Sequence, residues 1–209
     1  MSSLQSILRP KVLKEVVGHE KLLSKHGTLT KILSKKPLSS LVFWGPPGCG
    51  KTTLAKIIIS KANIETIEFH PAFLREKYLT IFEKVKQNFL NKKQTILFLD
   101  ELHLYHKSQQ DKFLSYVEKD MVILIGTTTI NPRYLLLPSL FAKSHSIRLE
   151  KLEWKHLKAL KIKAEKYYNF PIPITENTLE TLLYKAQGDA WIFLNSIEEI
   201  LSCKFSWDM

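Results

Sequence analysis

The stretch from Leu41 to Thr53 reads Leu-Val-Phe-Trp-Gly-Pro-Pro-Gly-Cys-Gly-Lys-Thr-Thr, an apolar run followed by a glycine-rich loop. A short continuous apolar run that ends at a glycine is typical of a strand buried on both faces of a parallel sheet. From Gly45 to Thr52 the residues fit G-x-x-x-x-G-K-[ST], whose glycines bring backbone N–H groups close to phosphate oxygens. The sequence therefore predicts a phosphate-binding loop, with Lys51 at the β- and γ-phosphates and the Thr52 hydroxyl on Mg²⁺. The ordinary alternative is a glycine turn beside a surface lysine.

A second apolar run, residues 96–99, ends in two carboxylates, Asp100 and Glu101. Open α/β sheets bind ligands at the carboxyl ends of their strands. We therefore expect Asp100 to hold Mg²⁺, directly or through water, and Glu101 to polarise the attacking water as a general base. Two acids at a strand end also fit a merely solvated turn, but a phosphate loop upstream favours the catalytic interpretation.

The rest of the chain alternates strand-like and helix-like segments up to residue 150 and then becomes wholly helical. This order predicts an α/β fold, a parallel sheet with helices on both faces, followed by a small all-helical domain. The predicted domains are residues 1–150 and 151–209, with residues 1–10 as an irregular lead-in. Asn177 and Asp189 are the expected N-caps of the second and third helices of the second domain.

Composition points to a soluble, basic protein of the cytoplasm. The chain has 209 residues, 44% of them hydrophobic, so wholesale disorder is excluded. Lysine and arginine number 31 against 20 acidic residues, a net charge of +11 that attracts polyanions such as nucleic acid, although a solvated lysine surface is as good an explanation. Two cysteines give no disulfide framework. No apolar run approaches the roughly 20 residues of a membrane span, and the start lacks a secretory pattern.

Five segments together resemble the AAA+ ATPases of the clamp-loader clade, and most closely the RarA/MgsA family of replication-associated recombination proteins. They are an N-terminal box at residues 9–20, the Walker A stretch at 44–53, the Walker B stretch at 99–103 with residues 107–111, the sensor 1 region at 125–132 and the lid motif at 188–195. The resemblance covers nearly the whole chain. Its most specific parts are Lys-Ser-Gln-Gln-Asp at 107–111 and Asn-Pro at 131–132.

The resemblance implies a P-loop NTPase of the AAA+ type, with an AAA+ nucleotide-binding domain followed by a helical lid. ATP and Mg²⁺ are the implied cofactors. The implied partners are DNA, forked or single-stranded and bound without sequence preference, further copies of the chain, and replication proteins, in the cytoplasm at the nucleoid. Thr129 would be sensor 1, with Thr128 as the alternative if the register differs by one. The implied nucleotide-binding residues are Val17, Gly18, Pro47, Gly48, Cys49, Gly50, Lys51, Thr52, Thr53, Asp100 and Trp191.

Three features depart from this family. The arginine that reaches the neighbouring subunit's γ-phosphate is replaced by Lys143, which keeps the charge but loses the forked guanidinium. The lid arginine that senses nucleotide is replaced by Trp191, which packs on apolar surface or on the base. Arg133 is a candidate substitute finger, although a surface role is favoured. The family also continues beyond the lid into an oligomerisation domain, and this sequence stops after the third lid helix.

Three functions remain open at this point. The first is an ATP-hydrolysing AAA+ motor or loader that acts on DNA at stalled replication forks, with Glu101, Thr129 and Lys143 as its catalytic residues. The second is a nucleotide-gated module that binds DNA or a partner and hydrolyses little. The third is a small P-loop kinase, disfavoured because this lid has no arginine. Lysines at 92–93 and 155–166 are candidate phosphate contacts, or solvated faces. The histidines and cysteines lack the spacing of a zinc site.

Overall fold

The computed structural model describes residues 3–35, 37–70 and 75–205. The predicted helix start at Leu74, the side chain of Cys203 and the last four residues of the predicted lid domain lie outside these ranges. The strands are β1 Ser40–Trp44, β2 Glu65–Phe69, β3 Thr95–Leu99, β4 Val122–Thr128 and β5 Ser144–Arg148. The helices are α1 Leu4–Ile7, α2 Glu20–Leu23, α3 Thr28–Ser34, α4 Lys51–Ala62, α5 Arg75–Leu90, α6 Lys107–Glu118, α7 Pro132–Leu135, α8 Pro138–Ala142, α9 Trp154–Tyr168, α10 Glu176–Ala186 and α11 Ala190–Phe205.

The five strands form one parallel sheet in the order β2-β3-β4-β1-β5. Burial explains the composition of its strands. The central strands β3 and β4 are buried at every residue and β1 at four of its five, whereas most residues of the edge strands β2 and β5 are at least partly exposed. Central strands covered on both faces read as continuous apolar runs. The predicted α/β fold class is therefore confirmed.

Helices cover both faces of this sheet. Successive side chains of a strand point to opposite faces, so both faces of the apolar central strands have to be covered. Alternate residues of the central strands, among them Val42, Leu97 and Leu124, form one core with side chains from α5, α6 and α8. The intervening residues point to the opposite face, where α4 packs and the Lys56 ammonium lies 5.8 Å from the centre of the Phe98 ring. The first turn of α4, which packs on this face, carries the residues that directly follow the glycine-rich loop.

The described residues divide into two compact units. The sheet unit comprises residues 21–45 and 51–149. The helical unit comprises the described residues up to Glu20, Pro46–Gly50 and the described residues from Glu150 onward. The predicted boundary at 150/151 lies one residue after the division between Leu149 and Glu150. The structure differs in grouping the first twenty residues and part of the loop with the helical unit.

The helical unit is built on α9, α10 and α11, whose shared core includes the fully buried Leu157, Leu183 and Phe193. The predicted irregular lead-in is wrong, because residues 4–7 form α1. The Leu4 backbone amide donates to Glu198 Oε1 at 3.1 Å, and the Gln5 side-chain amide donates to Asn195 Oδ1 of α11. A one-turn helix is unstable alone, so these tertiary contacts form it.

The two predicted N-caps have different outcomes. Asp189 caps α11, since its Oδ1 accepts the amides of Trp191 at 2.7 Å and Ile192 at 3.2 Å. The prediction for Asn177 is wrong. Helix α10 starts one residue earlier, at Glu176, and Thr175 is its N-cap, accepting the Thr178 amide in an extended conformation. None of the described helices is long and apolar enough to cross a membrane.

Candidate functional site

Parallel pairing brings the ends of β1, β3 and β4 together at one edge of the sheet. In the register of β3 and β4, Leu99 lies opposite Gly126, so Asp100 follows level with Thr127. On the other side of β4, Thr127 pairs with Phe43 of β1. The strand that carries the acidic pair and the strand that leads into the glycine-rich loop therefore flank the same threonine.

Asp100 connects this edge to the first turn of α4. Its Oδ1 accepts a hydrogen bond from the Thr52 hydroxyl at 3.0 Å and a second one from the Thr127 hydroxyl. Lys51 is buried, and its ammonium donates to the Gly45 carbonyl at 3.0 Å. The structure thus assembles in the sheet unit the lysine, hydroxyl and carboxylate that the sequence motifs predicted.

Glu101 has an unusual backbone and an unsatisfied side chain. Its φ of 53° is left-handed, and its amide donates to the Thr127 hydroxyl at 3.1 Å, which holds the turn. Its Oε2 is shielded from solvent and accepts no hydrogen bond within the described part of the chain, and His103 Nδ1 lies 3.3 Å from it. Strained backbone and an unsatisfied buried polar atom are frequent at functional sites.

Within the helical unit, the glycine-rich loop is held by two contacts. The Ala190 amide donates to the Gly48 carbonyl at 3.3 Å, and a His19 ring nitrogen lies 2.8 Å from the Cys49 carbonyl. Gly48 has a φ of +64°, and a Cβ there would lie 1.9 Å from Asp189 Oδ1. The loop thus needs glycine at this position for both its conformation and the space beside the lid motif.

The N-terminal box is fixed to the start of α9 by one buried histidine. His156 Nδ1 accepts the Glu153 amide at 3.0 Å, so Nε2 carries the proton and donates to Glu20 Oε1 at 2.9 Å. Bonding by its own backbone amide and then by His156 keeps the pKa of Glu20 below its ordinary value. Gly18, with a φ of +82°, passes so close that a Cβ would lie 2.8 Å from Leu152.

Comparison with known proteins agrees with this geometry. The model of the ATPase family associated with various cellular activities (AAA) matches residues 41–148. The chain belongs to the AAA family of ATPases. It is also similar to curated proteins named replication-associated recombination protein A, with 35% identity to that of Haemophilus influenzae and 34% to that of Escherichia coli, each over 93% of this chain and 45% of the relative. The resemblance to the RarA family is therefore confirmed.

Two further proteins extend the comparison. The ATPase WRNIP1 of Dictyostelium discoideum is 32% identical over 93% of this chain and 23% of its own length. The Thermotoga maritima RuvB Holliday junction branch migration motor superposes with a TM-score of 0.69 at 26% identity, covering 91% of this chain and 64% of that one. The chain spans about half the length of the recombination proteins that it matches.

The remaining predicted site residues differ in burial and in the part of the fold that carries them. Val17 packs on the helical core, and Cys49 is buried, whereas Gly50 and Thr53 are half-buried and Pro47 is exposed. Thr129 lies exposed just past the end of β4, and the hydroxyl of buried Thr128 accepts the Ile130 amide. The structure therefore brings neither of these threonines to Asp100.

The three candidates for the family's arginine roles are all exposed. Lys143 follows α8 as its C-cap, and Arg133 lies on α7. The side chain of Trp191, at the first turn of α11, is 54% exposed rather than packed in the core. Their roles in catalysis and nucleotide sensing stay predictions.

Sequence reasoning missed Thr127, His19 and His156. The signal for Thr127 was partial. Alternation puts the first and third threonines of the Thr-Thr-Thr run on one face of the strand, but the proximity of Thr127 to Asp100 depends on the register between β3 and β4. The signals for His19 and His156 were weaker, because their partners lie 30 and 136 residues away.

The donor set fits a magnesium ion and a triphosphate. Thr52 and Asp100 offer a hydroxyl and a carboxylate 3.0 Å apart, and Mg²⁺ is usually held by one or two protein oxygens together with phosphates and water. Across the described residues no group of three His, Cys, Asp or Glu side chains could enclose a metal alone. Lys51, which donates to the Gly45 carbonyl, is the cation that would reach a phosphate.

Proposed function

We propose that this chain binds ATP with Mg²⁺ and hydrolyses it, and that it acts on DNA in replication, recombination or repair at stalled forks. The hydrogen bond from Thr52 to Asp100 is the observation that carries the proposal. It joins the first turn after the phosphate loop to the carboxylate at the end of β3, the arrangement that a bound magnesium triphosphate requires.

Different residues of the chain would bind the phosphates, hold the metal ion and accept the proton. Lys51 would move from the Gly45 carbonyl to the β- and γ-phosphates, and Thr52 and Asp100 would hold Mg²⁺, with Thr127 fixing Asp100. When bound, Mg²⁺ neutralises charge that develops on the phosphate oxygens. Glu101 Oε2, which accepts no hydrogen bond from the described residues, would accept the proton of the attacking water.

The DNA part of the proposal has two supports. Similar proteins are named for replication-associated recombination and for branch migration of Holliday junctions. The net charge of +11 suits binding to phosphates without sequence preference. We place the chain in the cytoplasm at the nucleoid, on forked or single-stranded DNA, with further copies of itself or replication proteins as partners.

A nucleotide-gated binding module with little hydrolysis is the second candidate. It is favoured by the position of Trp191, whose exposed indole replaces the lid arginine and cannot neutralise a phosphate. Lys143, an exposed lysine at the position of the finger, lacks the bidentate geometry of guanidinium. A finger arginine is worth about 10³–10⁵ in rate, so this replacement separates the two candidates.

The test combines nucleotide binding and ATP turnover, with and without forked DNA. Lys51→Ala should lose both binding and turnover, and Glu101→Gln should keep binding and lose turnover. That pattern establishes the ATPase. Tight Lys51-dependent binding without turnover in the unaltered chain would favour the gated module. Binding that is unaffected by Lys51→Ala would contradict both.

A further inference from the structure

A cavity of about 540 Å³ lies within the helical unit, between residues 7–15 and the carboxyl-terminal half of α9. The cavity is wide open to solvent, so it has the form of a groove rather than of an enclosed pocket. Lys163 and Lys166 in its wall follow His156 by seven and ten residues. At 1.5 Å per helical residue, the cavity therefore lies about 10–15 Å along α9 from the place where His156 bonds to Glu20.

The wall of the cavity is strongly basic. Arg9, Lys11, Lys163 and Lys166 line it together with a single carboxylate, Glu15. That carboxylate accepts the Lys11 backbone amide at 2.8 Å, a bond that lowers the pKa of Glu15 and keeps it ionised. The Lys163 ammonium donates at 2.6 Å to the Glu15 backbone carbonyl, not to its carboxylate. Four cations against one anion leave a surplus of positive charge facing the cavity.

The other lysines of α9 differ in having carboxylate partners that neutralise their charge. Lys155, Lys158 and Lys161 form ion pairs with Glu153, Glu176 and Glu165, at 2.9, 3.3 and 2.5 Å. In contrast, none of the ion pairs among the described residues involves any of the four cavity cations. The lysine run at 155–166 is thus divided into a neutralised part and an unneutralised part, and only the second part lines the cavity.

An aromatic ring stands beside these cations. Tyr167 lines the cavity, and its side chain is half exposed. Its ring lies 5.1 Å from that of Tyr168, edge-on at 75°, and Tyr168 in turn lies 5.7 Å from Phe170. This chain of rings holds Tyr167 in place while leaving it accessible.

We propose that this cavity binds single-stranded nucleic acid, with the cations on backbone phosphates and Tyr167 stacked on a base. A basic groove with an accessible aromatic ring is the combination used for single strands, and paired bases in a duplex are not available to such a ring. This inference rests on the proposed function, because the single strand would come from the forked DNA on which the chain is proposed to act.

Two double variants that remove equal charge test the electrostatic part. Oligothymidylate binding is followed by fluorescence anisotropy over a range of salt concentrations. Lys11→Ala with Lys166→Ala should lower affinity about 25-fold at about 0.1 M salt and reduce the salt slope by about 1.4, since each phosphate contact on a single strand contributes about 0.7. Lys155→Ala with Lys158→Ala, which removes ion-paired lysines, should change affinity less than about threefold. Equal losses in both pairs would overturn the proposal.

Tyr167 tests the stacking part. Tyr167→Ala should weaken oligothymidylate binding by about 5- to 150-fold, the range for loss of one stacked base, and Tyr167→Phe should not. Polyphosphate, which has no bases, should bind Tyr167→Ala and the unaltered chain equally. Thermal unfolding of each variant reports whether it is folded. A folded Tyr167→Ala that binds oligothymidylate as the unaltered chain does would overturn the proposal.

ATP binding measured on the same samples separates this inference from the proposed function. Unchanged, Lys51-dependent ATP binding together with a selective loss of single-strand binding in the cavity variants supports the proposal. If ATP affinity falls in Lys11→Ala with Lys166→Ala, the cavity is part of the nucleotide site and the proposal is overturned. If Lys51-dependent ATP binding is absent from the unaltered chain, the proposed function fails while the strand measurements still decide the cavity.

Discussion

Replacing Thr127 with valine should loosen the magnesium carboxylate without removing it. The substitution keeps the shape of the side chain and deletes the hydroxyl that donates to Asp100 and accepts the Glu101 amide. A hydrogen bond to a charged group is worth about 1.5–3 kcal/mol and an ordinary one about 1 kcal/mol. Since Asp100 and Glu101 are half-buried and water replaces part of the loss, we expect a decrease of about 2–4 kcal/mol in the free energy of unfolding.

The expected functional consequence follows from the proposal that Asp100 holds Mg²⁺, since Thr127 hydrogen-bonds this carboxylate. Loss of such a support typically lowers metal affinity 10- to 100-fold, so the Mg²⁺ concentration for half-maximal ATP binding or hydrolysis should rise by about that factor. Denaturant unfolding and Mg²⁺ titration measure the two effects.

Thr128 supplies the matched control. It is equally buried and adjacent in β4, but its hydroxyl accepts only the Ile130 amide among the described residues. Thr128→Val should therefore cost about 1 kcal/mol of stability and leave the Mg²⁺ requirement within about threefold. Equal Mg²⁺ requirements in the two variants would refute the role given to Thr127.

Two further predictions concern the loop and the helical unit. Gly48→Ala should lower the melting temperature and the affinity for ATP. A left-handed backbone costs an L-residue about 1–2 kcal/mol, and the new Cβ would collide with Asp189. Unchanged ATP affinity would contradict this close fit. Glu165 accepts hydrogen bonds from the Lys161 ammonium and the Ile172 amide, and these bonds lower the pKa of its carboxyl group. The ionised carboxylate therefore stabilises the fold above its unfolded pKa of about 4.3. This stabilisation is lost as the pH falls through the folded pKa. In Glu165→Gln, the free energy of unfolding should therefore decrease less on acidification than in the unaltered chain. Free energies of unfolding from denaturant that depend on pH in the same way in both proteins would contradict this contribution.

Much of the sheet and of the phosphate site was predictable because each depends on local sequence. Strands β1 and β3 are continuous apolar runs, which only burial on both faces explains, and the loop motif fixes Lys51 and Thr52 relative to the strand before it. Asp100 and Glu101 follow from their place at a strand end.

The parts that sequence reasoning missed depend on contacts between distant residues. Helix α1 forms because Leu4 and Gln5 bond to residues of α11 that lie about 190 positions later. The choice of Thr127 over its two neighbours as the partner of Asp100 depends on the register between β3 and β4, which no single strand reveals. The grouping of the loop with the helical unit depends on His19 and Ala190, each bonded to the loop from a different segment.

The most direct test of the central claim is the single-turnover rate of ATP hydrolysis by the unaltered chain and by Glu101→Gln, with all nucleotide bound and Mg²⁺ in excess. This design separates the chemical step from binding. Removing a general base should lower the rate about 10²- to 10⁴-fold while ATP affinity is retained. Equal rates in the two proteins would contradict the assignment of Glu101 and, with it, the mechanism proposed for this site.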